Sequence, residues 1–190
     1  MEEIKNVSIE GGSLGAKFID PEKVIESLEI LPGMSVAEFG CGTGFFVFPV
    51  SKKVSESGRV YALDILKEKL EAIESQAKIN GMSNIIVKRA NLEAVGGSKL
   101  EENSIDWVFM VNMLFQNKQK DLIIAEAKRV LKPKGKMLII EWNGNDSSFG
   151  PARDIKLSKE ELLALGEDSQ MAFIKDIEIS DFHYGLIFAK

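Results

Sequence analysis

The chain has 190 residues, 45% hydrophobic and 28% charged, with a net charge of -5 at pH 7, which suits one globular domain with a sizeable core and leaves two full domains cramped. The acidic balance argues against a broad nucleic-acid footprint, no apolar run reaches the roughly 18 residues needed to span a bilayer, and the first residues have no secretory pattern, so a cytoplasmic protein is expected. A single cysteine, Cys41, and a single histidine, His183, exclude an intrachain disulfide, a cysteine-based zinc site and a histidine-rich metal site.

Residues 1–17 are polar and contain Gly11, Gly12 and Gly15, so a mobile arm is expected there. Asp20-Pro21 supplies an N-cap and a proline at the first helical position, and Val24, Ile25 and Leu28 recur at helical spacing until Pro32-Gly33. Elements then alternate: a buried strand at 36–39, a helix at 45–54, a strand at 59–64, and a helix at 66–79 stopped by Asn80-Gly81. A strand at 85–89, a polar loop around Gly96-Gly97, a strand at 105–111, a helix at 121–131, a turn at 132–135 and a strand at 136–142 follow. Strands separated by helices need crossover connections, which predicts a parallel sheet covered on both faces. After a Gly, Asn and Ser-rich loop at 143–150 and a helix at 159–165, segments 173–179 and 184–189 lie close enough to form a hairpin, so the last strand is expected to run antiparallel.

The most informative stretch is Val36-Ala37-Glu38-Phe39-Gly40-Cys41-Gly42-Thr43-Gly44, with Asp64 closing the next apolar run about twenty residues later. Glycines at a strand-to-helix turn let backbone approach a ligand closely, and a carboxylate after the second strand suits the hydroxyls of a ribose. The spacing points to a nucleoside-bearing cofactor.

On these motifs and the terminal hairpin the chain resembles the class I S-adenosylmethionine-dependent methyltransferases, over about residues 18–190, with the small single-domain type related to quinone-biosynthesis C-methyltransferases as the nearest pattern. The resemblance implies one α/β domain over 1–190: a Rossmann-like three-layer sandwich whose seven-stranded, mostly parallel sheet has an antiparallel C-terminal strand. It also implies S-adenosylmethionine as cofactor, S-adenosylhomocysteine as product and a small-molecule methyl acceptor. Glu38, Gly40, Gly42 and Gly44 match the family's acidic residue and three glycines, with Cys41 inside the turn. Asp64 matches the ribose-binding carboxylate, with Ile65 beside it, and Leu131 to Lys136 matches the entry into the fifth strand. Many family members place an acidic residue after the third strand to accept from the adenine amino group. This chain has Ala90-Asn91-Leu92, so the contact is assigned to the Asn91 carbonyl, with Leu92 beside it.

Asn112, in Asn112-Met113-Leu114-Phe115, distantly echoes the Asn-Pro-Pro-Phe box of amino-group methyltransferases, but without the prolines it is read as a wall of the site. Ligands of open parallel sheets bind beyond the carboxyl ends of the strands. That criterion selects Asn112, Glu141, Trp142 and Asn143, and it places the hairpin turn with Asp181 to Tyr184 near the same mouth. If the acceptor must lose a proton, His183 or Glu141 is the candidate base; as a simpler alternative, His183 is a surface turn residue bonded to backbone or to Asp181. Trp142 and Phe149 cover an acceptor or pack locally. Cys41 has a packing reading and a nucleophile reading, and the latter lacks a neighbouring base or second cysteine. Asp106 starts its strand at the end away from the ligand, where capping is expected.

Two other functions remain open at this stage. A nicotinamide-dependent oxidoreductase would require glycine or alanine where Phe45 stands, and a non-catalytic cofactor-binding module would share every motif above.

Overall fold

The computed structural model describes residues 18–144 and 150–190. The predicted arm at 1–17, and Phe149 with most of the 143–150 loop, lie outside the described residues.

Seven strands form one sheet in the order β3-β2-β1-β4-β5-β7-β6. They are β1 (Ser35–Phe39), β2 (Arg59–Asp64), β3 (Ile85–Arg89), β4 (Ile105–Val111), β5 (Leu131–Trp142), β6 (Ala172–Ser180) and β7 (His183–Ala189). The helices are α1 (Pro21–Glu26), α2 (Val47–Val54), α3 (Lys67–Ile79), α4 (Lys120–Val130) and α5 (Lys159–Asp168). Pairings from β3 through β5 are parallel, and β7 runs antiparallel to both β5 and β6. The seven-stranded α/β architecture with its antiparallel C-terminal strand is therefore the expected one. No helix among the described residues is long and apolar enough to cross a membrane.

Parallel strands covered on both faces must be apolar on both sides. In β1, Val36 packs into one core and Ala37 with Phe39 into the other, as alternating side chains dictate. The same alternation in β5 sends Met137 and Ile139 to the face carrying α4 and α5, and Leu138 and Ile140 to the face carrying α1 and α2. Chain order reverses between β1 and β4, which opens a crevice at their carboxyl ends.

Three local differences from the sequence reading have physical causes. Helix α1 stops at Glu26 because the Ser27 hydroxyl donates to the Val24 carbonyl and ends the turn. Helix α2 starts at Val47, since residues 42–46 form the turn around the ligand crevice. Strand β5 already begins at Leu131, which pairs with Ile105, while Trp107 pairs with Lys136. The predicted 132–135 turn is thus a large bulge inside the strand, with Lys134 at φ 67°. Asp106, opposite this bulge, accepts from the Ser35 backbone N–H at 2.8 Å and pairs with Lys132 at 2.8 Å, as its predicted capping role requires.

Candidate active site

The crevice at the sheet reversal is a cleft of about 720 Å³, lined from one side by Glu38, Gly40, Cys41 and Gly42 and from the other by Asn112, Met113, Trp142 and His183. Asp64, Ile65, Asn91 and Leu92 line it as well. Two predicted residues, Gly44 and Glu141, do not line it.

The turn after β1 needs left-handed backbone at Gly40, Gly42 and Gly44, with φ of 69°, 52° and 82°, a region where side chains are disfavoured. The glycines differ in what surrounds them. A Cβ on Gly42 would meet nothing within 4 Å, whereas one on Gly44 would come within 2.8 Å of the Phe48 ring and 3.1 Å of Ile73. Gly42 keeps the ligand side open; Gly44 lets α2 and α3 close on the turn from behind. Asp64 Oδ2 accepts the Gly42 backbone N–H at 2.9 Å, and Oδ1 accepts that of Leu66 at 2.9 Å. Asp64 therefore ties the glycine turn to the residues leading into α3 while lining the cleft. Each oxygen has a second lone pair available to a ligand hydroxyl.

Glu38 is only 4% exposed, and its Oε2 has no hydrogen-bond partner among the described residues. Burial pushes its carboxyl well above the usual range; the Val47 backbone N–H partly opposes this, and Asp64 adds to it. A buried carboxyl with a vacant oxygen at the edge of a cleft can receive a cation or a donor. The Cys41 thiol is pushed up by burial and by the nearby Glu38 and Asp64 carboxyls, which leaves it protonated and favours its packing reading.

The opposite wall is built around His183. The Asn112 side-chain N–H donates to His183 Nε2 at 3.1 Å, so the ring proton sits on Nδ1 and goes to Ser180 Oγ at 3.0 Å. The imidazole also lies 4.1 Å, centroid to centroid, from the Trp142 ring. This histidine is buried, not a surface turn residue. Burial, followed by the Lys156 charge, pushes its pKa down to about 4, so at neutral pH it is an uncharged positioning group and a weak base. Asn112 Oδ1 is buried without a partner among the described residues, and the residue stands at φ 51°, one of the few conformations that asparagine tolerates better than most.

Glu141 lies behind this wall. It is 1% exposed, and its Oε1 accepts the backbone N–H groups of Leu114 at 2.8 Å and Phe115 at 3.4 Å. Burial raises its pKa to about 7, against the lowering effect of those N–H groups.

Sequence reasoning did not single out Glu93, Met113, Gln116 or Lys69, all of which line the cleft. Glu93 Oε1 accepts from the Lys118 and Gln119 backbone N–H groups at 2.7 and 2.8 Å. These two N–H groups lie just before α4, whose N-cap residue Gln119 makes no side-chain cap, and the carboxylate that accepts them comes from the loop after β3. Asn91 Oδ1 already accepts the Glu93 backbone N–H at 3.2 Å, which shapes the loop that carries both residues.

The fold and this site define an α/β protein with an open cleft beside a glycine turn at the reversal of its sheet. The sequence matches the description of a methyltransferase domain over residues 30–182, and the chain belongs to that family. It is 31% identical over 119 residues to a demethylmenaquinone methyltransferase of Lactococcus lactis, covering 63% of this chain and 46% of the relative. It is 33% identical over 120 residues to the ubiquinone/menaquinone biosynthesis C-methyltransferase UbiE of Shewanella pealeana, covering 63% and 47%. The chain spans about half the length of these curated relatives. A crystal structure of a SAM-dependent methyltransferase from Aquifex aeolicus superposes with a TM-score of 0.84 at 27% identity, covering 90% of each chain.

S-adenosylmethionine is the cofactor that accompanies this family, and the residues fit it. Asp64 presents lone pairs for hydroxyls, Gly42 leaves space for close approach, and Glu38 offers a vacant buried oxygen at the same end of the sheet.

Proposed function

We propose that the chain transfers the methyl group of S-adenosylmethionine to a nucleophilic atom of a small-molecule acceptor, leaving S-adenosylhomocysteine. The observation that carries this reading is the vacant buried oxygen of Glu38 in a cleft whose glycine turn is fastened to Asp64. When bound, the cofactor supplies an already activated sulfonium methyl, so rate comes from positioning and from excluding water.

The residues divide that work. Asp64 and the turn at Gly40 to Gly44 receive the ribose and the backbone of the cofactor, Ile65 and Leu92 flank its base, and Asn91 is placed for its edge. Glu38 takes the positively charged amino-acid end. Asn112, His183 and Trp142 form the acceptor wall, with Asn112 Oδ1 available to a donor on the acceptor. No strong base stands on this wall: His183 is spent on Asn112 and Ser180 and titrates near 4. An acceptor that arrives already nucleophilic suits such a site. The net charge of -5 favours a small acceptor over nucleic acid, and the ring acceptors implied by the names of the relatives are the first to test.

Calorimetry with S-adenosylhomocysteine tests the cofactor, and labelled S-adenosylmethionine with a fractionated extract identifies the acceptor. Saturable binding and a labelled small molecule are expected. Absence of heat, together with tight binding of a nicotinamide dinucleotide, would overturn the reading.

A further inference from the structure

We propose that Glu141 is a positioning residue for this reaction: from behind the sheet it fastens residues 112–117, the crossover after β4, as a wall of the ligand cleft. The ligand side of the proposal rests on the methyltransferase reading; the fastening is a property of the chain itself.

The geometry sets Glu141 apart from a base acting in the cleft. It shares the face of β5 that carries Met137 and Ile139 toward α4 and α5, and it does not line the cleft. Its Oε1 instead takes two consecutive backbone N–H groups at the start of the short 3-10 helix Leu114–Gln116. That turn follows Met113 with no side-chain cap of its own, so without Glu141 the buried Leu114 donor would be left without a partner and the partly buried Phe115 donor would lose its own, which is costly. The wall depends on this turn. Gln116 Nε2 donates to the Asn112 carbonyl and Asn117 Nδ2 to the Met113 carbonyl, at 2.8 and 2.7 Å, and Asn112, Met113, Gln116 and Asn117 all line the cleft. A second carboxylate, Glu93, fastens the far end of the same crossover at Lys118 and Gln119. The two fastenings differ in environment: Glu93 stays ionised, held low by those N–H groups, while Glu141 is buried with Oε2 unpartnered among the described residues.

Charged acceptors hold N–H groups more tightly than neutral ones. Burial raises Glu141 to about 7, so a local opening that breaks its N–H bonds while the carboxyl stays buried should become rarer as pH rises through neutrality, even though the same buried charge lowers the stability of the whole fold. The charged and titratable groups around it are Lys120 on α4, which favours ionisation, Tyr184 opposite it on β7, and Glu160 and Glu161 on α5 beyond Tyr184.

Amide hydrogen exchange on the full chain, corrected for intrinsic rates, tests this at pH 6 and pH 8, alongside S-adenosylhomocysteine affinity at the same pH values. In the unmodified protein the Leu114 and Phe115 amides should gain about fivefold in protection toward pH 8, with ligand affinity rising in the same direction. Glu141→Gln keeps an acceptor oxygen but cannot ionise, so both profiles should flatten. Glu141→Ala should lose protection at those two amides by about tenfold or more, while Val108 in β4 keeps its own, and ligand affinity should fall. A Glu141→Gln profile identical to that of the unmodified protein would overturn the proposal, and it decides the matter if Glu141→Ala does not fold. Loss of protection with unchanged ligand affinity would reduce Glu141 to a structural residue. Failure of the unmodified protein to bind the ligand, with the exchange pattern as expected, would overturn the methyltransferase reading and leave the fastening standing.

Discussion

Asp64 Oδ2 accepts the backbone N–H of Gly42 at 2.9 Å, so the carboxylate ending β2 fixes the glycine turn that follows β1. One side chain therefore shapes the turn and lines the cleft. Asp64→Ala should weaken S-adenosylhomocysteine binding by about 1–3 kcal/mol through lost charge-assisted hydrogen bonds. Asp64→Asn retains one acceptor oxygen and should lose less. Calorimetry on variants whose folding has been checked by circular dichroism measures both, and unchanged affinity in Asp64→Ala would remove the residue from the site.

The turn glycines should separate stability from binding. At Gly44 an added methyl runs into Phe48 and Ile73 at φ 82°, so Gly44→Ala should destabilise the fold by about 2 kcal/mol. At Gly42 an added side chain meets only open space, so Gly42→Val should cost about 1–2 kcal/mol of backbone strain and abolish most ligand binding. Urea melts and calorimetry run in parallel distinguish the two. A Gly42→Val protein that binds normally would contradict the close-approach argument.

Glu141 should also leave a mark on global stability. Its folded pKa is raised to about 7 from an unfolded value near 4.5, so its contribution is fully present below about 4.5 and is lost as pH rises through about 7. The difference in unfolding free energy between the unmodified protein and Glu141→Gln should therefore drift by on the order of 3 kcal/mol against the unmodified protein from pH 4.5 to pH 8. Denaturant melts across that range measure it. A flat difference would show that Glu141 is solvated.

Ion pairs in different surroundings should differ in weight. Glu126 is 3% exposed and pairs with Arg129 at 2.8 Å; the Ser98 hydroxyl and the Ser98 backbone N–H also donate to it. Arg129→Ala strands that buried carboxylate and should cost on the order of 3 kcal/mol. The exposed Lys159–Asp176 pair should be removable with no measurable shift in the denaturation midpoint.

Much of the architecture was legible because each strand carries a short apolar run and each helix a 3.6-residue rhythm. The glycine turn between Glu38 and Asp64 was legible because left-handed backbone at Gly40, Gly42 and Gly44 leaves a local signature. The opposite wall of the cleft was only partly so. His183 and Asn112 stand 71 positions apart in sequence, and their pairing depends on β7 being placed beside β5. What burial does to the His183 ring, and what Glu93 and Glu141 reach, has no signature in the neighbouring residues.

The sequence by itself determined the order of the elements, the direction of the last strand and the residues of the glycine turn after β1, because periodicity, turn chemistry and glycine requirements are local. Only the tertiary structure decided how several helical starts are satisfied. Helices α2 and α4 and the 114–116 turn lack side-chain caps of their own, and the acceptors for N–H groups at or just before their starts are the carboxyls of Glu38, Glu93 and Glu141, which belong to other elements. The reason is physical: an N–H group at the start of a helix must find an acceptor, but nothing in the helix specifies which strand or loop will bring it.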